Sequence, residues 1–130
     1  MRPWVRSLLG ATSLVAAGCA LVPPLENAGP CSVTLEYNNE RLAPPYVGPL
    51  SPDGDVWPTE LVRVQGHGWN GTVWINETRP GGTMANESSM PADEFNAGQM
   101  LVGWQEAGRY RYTFDNLAGC RSAFEIDVGP

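Results

Sequence analysis

Apolar and polar residues alternate at period two along several short runs of this chain, and proline and glycine separate the runs. That pattern restricts the fold more than any other feature. Val33, Leu35 and Tyr37 alternate with Ser32, Thr34 and Glu36. Tyr110, Tyr112 and Phe114 alternate with Arg109, Arg111 and Thr113, and Phe124, Ile126 and Val128 face the opposite way from Glu125 and Asp127. Residues 60–65, 72–76 and 99–105 are further strand candidates, and the glycine-studded turn at Gly66-His67-Gly68 predicts a hairpin over 60–76. No stretch carries a long helical period. Residues 77–98 show no apolar period, and only Pro91 to Asn96 suggests a helical turn. Such a pattern predicts an all-β domain, an antiparallel sandwich or small barrel. The full chain has 130 residues, enough for one domain.

The first residues obey different rules. Arg2 and Arg6 precede a mostly apolar run, Leu8 to Ala17, interrupted by Gly10, Thr12 and Ser13. That run is signal-peptide length, short of the roughly 20 apolar residues a spanning helix needs. It closes on Leu14-Val15-Ala16-Ala17-Gly18-Cys19, which resembles the lipobox of bacterial lipoproteins, with Ala16 where the family prefers Leu. The resemblance implies cleavage before Cys19, a lipid on its thiol, and a protein held on the extracytoplasmic face of a cell membrane. Cleavage near Ala20 is the alternative and gives an ordinary secreted chain without Cys19. On the lipoprotein reading residues 1–18 are the signal peptide, residues 19–30 a proline-rich tether, and residues 31–130 the domain.

The chain has three cysteines. If Cys19 carries lipid, Cys31 and Cys120 remain, and in an oxidising compartment they are expected to form a disulfide across nearly the whole domain. The alternative is two buried free thiols.

A second resemblance concerns the fold. Glu106-Ala107-Gly108-Arg109-Tyr110-Arg111-Tyr112 is similar to the turn and penultimate strand of immunoglobulin-like domains. There a tyrosine hydroxyl bonds back to the turn backbone, a tyrosine corner, and Tyr110 holds the matching position. Antibody-type domains carry a cysteine two residues later, where this chain has Tyr112. The resemblance implies an immunoglobulin-like sandwich and no particular activity.

The chain has no lysine, eight arginines and 14 acids, for a net charge of −6. Without Arg2 and Arg6 the six remaining arginines leave −8. That balance disfavours nucleic acid and anionic lipid surfaces as partners. The absence of lysine excludes a Gly-Lys phosphate loop, and no Gly-x-Ser-x-Gly elbow occurs. His67 is the only histidine, so a two-histidine metal site or a triad has little to build on. Asp53, Asp55 and Glu60 lack a full calcium-loop pattern, and Met84, Met90 and Met100 are irregularly spaced for copper. The carboxylates available for acid–base work include Asp93, Glu94 and Glu106, with nothing to set two of them across a substrate. No cofactor or metal is expected. Three Asn-x-Ser/Thr sequons, at Asn70, Asn76 and Asn86, would mark glycosylated surface in a eukaryotic secreted chain; on the bacterial lipoprotein reading they are coincidence.

Trp57, Trp69, Trp74 and Trp104 remain after the leader. Trp57, His67 and Trp69, with the 77–98 segment, form the candidate recognition surface. The expected function is therefore a membrane-anchored, non-catalytic binding module for a protein or glycan. An envelope inhibitor or accessory subunit of an enzyme is the alternative, and a metal-handling lipoprotein a third.

Overall fold

The computed structural model describes residues 25–52 and 57–129. Residues 1–24, which hold the expected signal peptide, the lipobox resemblance at Cys19 and the start of the expected tether, lie outside the described residues, as do Asp53 and Asp55. The described elements are β1 (Leu25–Ala28), β2 (Ser32–Tyr37), β3 (Glu40–Arg41), β4 (Tyr46–Pro49), β5 (Val62–His67), β6 (Thr72–Thr78), β7 (Met84–Pro91), α1 (Ala92–Asn96), β8 (Met100–Val102), β9 (Gly108–Asp115) and β10 (Arg121–Gly129). They form an all-β sandwich of two sheets.

One sheet has six strands in the order β1-β10-β9-β6-β7, with β4 also on β10. Both β1 and β4 occupy the edge of β10 away from β9. β1 runs antiparallel beside Arg121–Phe124, and β4 runs parallel beside Ile126–Gly129. The other sheet has four strands in the order β3-β2-β5-β8. Asn38 and Asn39, at φ 53° and 66°, make the tight turn between β2 and β3, a conformation asparagine tolerates better than most residues.

The core follows the alternation. Tyr110, Tyr112 and Phe114 of β9 and Phe124, Ile126 and Val128 of β10 are buried from one sheet, and Val33, Leu35, Val62 and Val64 from the other. Phe124 stacks on Tyr112 at 5.2 Å, and Phe114 stacks on Phe95 at 5.2 Å. Each such side chain contributes about 1.5–3 kcal/mol by leaving water. The outward partners are ionic: Arg109–Asp127 at 2.8 Å, Arg111–Glu125 at 3.3 Å and Arg121–Asp115 at 3.4 Å.

α1 closes one end of the sandwich. Its one turn buries Ala92 and Phe95, and the Ala92 N–H donates to the Gly71 carbonyl at 2.9 Å. Gly66 is required beneath it, since a Cβ there would sit 2.4 Å from Phe95 Cδ2. At the same end Cys31 and Cys120 bring their sulfurs to bonding distance, with Cα atoms 5.5 Å apart. The pair ties the start of β2 to the β9–β10 turn.

Four sequence expectations are corrected. Residues 60–76 are not a hairpin: β5 pairs with β2 and β8, whereas β6 pairs with β9 and β7. Residues 68–71 cross from one sheet to the other, and both strands alternate because each buries one face. Residues 84–91 are a strand, β7, inside the segment expected to be irregular. β8 spans only Met100–Val102, shorter than the strand expected over 99–105. Residues 25–28, placed in the tether expected over 19–30, instead pair with β10 and belong to the sheet.

Candidate functional site

The six-stranded sheet extends one strand further than its partner on one side. β7 lies outside β6, while the opposing sheet stops at the three-residue β8. Register decides what faces the gap. Val73 and Ile75 of β6 are buried, so their partners Met90 and Ser88, and the next pair Glu77–Asn86, share that inner face. On β8, Met100 and Val102 pair with the buried Val64 and Val62 and point the same way. The result is a groove of about 450 Å³ between β7 and β8, within the range of ligand sites. Its walls carry Met90, Met100 and Val102 on the apolar side and Asn86, Ser88 and Gln99 on the polar side.

Glu77 and Tyr112 line the bottom. The Tyr112 hydroxyl donates to the Glu77 carboxylate and accepts from Trp104 Nε1, the latter at 2.8 Å. Burial pushes the Tyr112 phenol well above its ordinary pKa, and the Glu77 carboxylate it donates to pushes it further. The phenol is therefore a fixed donor across the physiological range. Glu77 also borders a smaller recess of about 240 Å³ with Arg79, Glu106 and Tyr110. The Tyr110 hydroxyl donates to the Glu106 carbonyl at 2.9 Å and closes the turn that leads into β9.

The surface expected from Trp57, His67 and Trp69 does not form. Trp69 is a core residue, 4 % exposed; its ring meets Phe95 edge-on at 5.5 Å, and its Nε1 donates to the Ser32 carbonyl at 2.9 Å. His67 is exposed at the end of β5 and hydrogen-bonded to Thr34 Oγ1 at 2.8 Å. Trp57 is 79 % exposed and precedes the other end of β5. Its neighbour Pro58 packs on Gly103, beside the Val62–Val102 pair. The length of β5, about 17 Å, thus separates His67 from Trp57.

The remaining candidates disperse too. Asp93 and Glu94 are on α1, at the end opposite Glu106. Glu60 accepts from the Tyr37 hydroxyl. Met90 and Met100 reach the groove, whereas His67 is not among its lining residues. Among the described residues no group of three His, Cys, Asp or Glu could hold a metal ion.

Sequence reasoning missed the groove. One signal was present: Glu77 falls in phase with Val73 and Ile75, a carboxylate on an otherwise core-facing row. β7 gave none, because both its faces are largely solvated and the strand carries no alternation.

No family model matches the chain, and neither the curated proteins nor the solved structures contain a match.

Proposed function

We propose that this protein is an extracytoplasmic lipoprotein, anchored through lipid on Cys19, whose immunoglobulin-like sandwich is a non-catalytic binding module. The ligand site is the groove between β7 and β8, and the ligand is an extended segment of a partner protein. The observation that carries this reading is the geometry of the gap. Among the described residues β8 pairs with β5 alone, so its outer main-chain edge is open beside a groove of about 450 Å³. An added strand would pair with that edge and place alternate side chains into the groove. Glu77 at the bottom and a net charge of −8 without the leader favour a segment carrying a basic residue.

The immunoglobulin-like part of the reading is supported by the two-sheet, mostly antiparallel sandwich and by the Tyr110 bond to its own turn. The lipid anchor is supported by the leader, the lipobox and the cysteine that the Cys31–Cys120 pair leaves over. Lipid adds about 0.8 kcal/mol per buried methylene, so multiple chains make attachment essentially permanent.

Two experiments test the proposal. Mass spectrometry of the wild type and of Cys19→Ser checks the anchor; an unlipidated, freely secreted wild type sinks it. Asn86→Trp fills the groove from the exposed strand β7. It should abolish partner capture from envelope extract while leaving the melting temperature unchanged. Capture that survives Asn86→Trp refutes the groove as the site.

A further inference from the structure

The outer face of the six-stranded sheet holds a second feature, independent of the groove between β7 and β8. Val73 and Ile75 point into the core, so Trp74 and Asn76 point outward from the same strand. Trp74 is 48 % exposed although β6 lies inside the sheet, flanked by β7 and β9. Its cross-strand partner on β7 is Ser89, and that of Asn76 is Glu87. A shallow groove of about 380 Å³ runs along this ladder, bounded by Trp74, Asn76, Glu87 and Ser89.

We infer that this ladder is a binding site for a neutral saccharide, with Trp74 as the stacking platform. A pyranose presents a face of C–H groups, and the electron-rich face of an indole attracts such positively polarised hydrogens. Around its rim it presents hydroxyls that both donate and accept. Asn76 supplies an amide that does both, Ser89 a hydroxyl that does both, and Glu87 a carboxylate that accepts. None of these side chains makes a hydrogen bond or an ion pair among the described residues, so each is available to a ligand.

Charge selects the class. The arginines on this face at 109, 111 and 121 are paired with Asp127, Glu125 and Asp115 respectively, and Asp115 is the cross-strand partner of Trp74 on β9. Among the described residues Glu87 is the one charged side chain lining the groove. Its field, in a chain of net charge −6, opposes a uronate or sulfated sugar and tolerates an uncharged one. The groove is open and shallow, so one or two rings fit and each copy binds weakly. Many copies held on one surface would gain avidity.

The test is affinity electrophoresis of the full chain in detergent, through gels containing hydroxyethylcellulose, galactomannan, dextran or, as the anionic control, polygalacturonate. At least one neutral polymer should retard the wild type, and polygalacturonate should not. Trp74→Ala should weaken that association about tenfold or more with an unchanged melting temperature. Trp57→Ala and Asn86→Trp should be retarded like the wild type. Retention by Asn86→Trp shows that this site stands even where the β7–β8 groove reading fails. The proposal is overturned if no neutral polymer retards the wild type, if Trp74→Ala is retarded equally, or if polygalacturonate is preferred.

Discussion

Replacing Tyr112 with phenylalanine deletes one oxygen from the inside of the sandwich and leaves the ring stack on Phe124 in place. The oxygen has two partners, Trp104 Nε1 and the Glu77 carboxylate. They respond differently to its loss. Glu77 lines the groove and can be hydrated there. Trp104 is 3 % exposed, so its N–H is left buried without an acceptor. An orphaned buried donor costs about 1–3 kcal/mol, and that is the loss expected at neutral pH. The same oxygen makes the cost depend on pH. Tyr112 titrates well above the ordinary phenol in the native state, because of burial and then of Glu77. Below about pH 10 native and unfolded chains both keep the proton, and the residue adds no slope. Above it the unfolded chain releases the proton while the native chain holds it. The native state then binds more protons, and stability falls by about 1.4 kcal/mol per pH unit until the native phenol ionises. Tyr112→Phe has no such proton. The phenols of Tyr37, Tyr46 and Tyr110 are also raised, but they are present in both proteins and cancel in the difference. The gap between the two proteins should therefore hold constant to about pH 10 and shrink by about 2 kcal/mol by pH 11.5. Urea unfolding followed by tryptophan fluorescence, at a series of pH values, measures it. A gap of zero at neutral pH, or one that does not narrow in base, would refute the buried Trp104–Tyr112–Glu77 network.

Three further outcomes follow from packing. Phe95→Ala should destabilise by about 3–5 kcal/mol in the same assay, because it empties the space between Trp69 and Phe114; a loss under 1 kcal/mol would show that α1 does not close the core. Gly66→Ala should cost about 1–3 kcal/mol, since the new Cβ would lie 2.4 Å from Phe95 Cδ2 and 2.8 Å from Trp69 Cδ1. Reduction of Cys31–Cys120, or the double serine variant, should cost about 4–5 kcal/mol for a ring with a sequence separation of 89. Thiol titration of the unfolded, unreduced chain should find neither cysteine reactive, and two reactive thiols would break that argument.

The strands that could be read from the sequence are those with one face in the core and one in solvent. β2, β9 and β10 were legible for that reason, to within one residue at either end. β7 was not, because it hangs past the opposing sheet and its inner face looks into a groove. The tryptophans show the same limit. Trp57, Trp69, Trp74 and Trp104 are one residue type, and of them only Trp74 stands inside an alternating run, between Val73 and Ile75. Two are 79 % and 48 % exposed and two are 4 % and 3 % exposed. Local pattern does not single out Trp69 and Trp104 for burial, since the partners that bury them, namely Phe95, Tyr110 and Tyr112, come from other elements.

The sequence by itself determined the all-β class, the inward rows Tyr110-Tyr112-Phe114 and Phe124-Ile126-Val128, and the one helical turn. Each is encoded at period two, or by a proline followed by acids at a helix start, within a few residues. Tertiary structure alone decided which strands became neighbours. It sent β5 and β6 to different sheets across a four-residue connection and folded Trp69 into the core. It also left β8 one strand short of covering β7. Pairing depends on which sheet edge each strand meets, and the alternation within a strand is the same whichever neighbour it takes. The groove between β7 and β8 exists because the two sheets end at different strands.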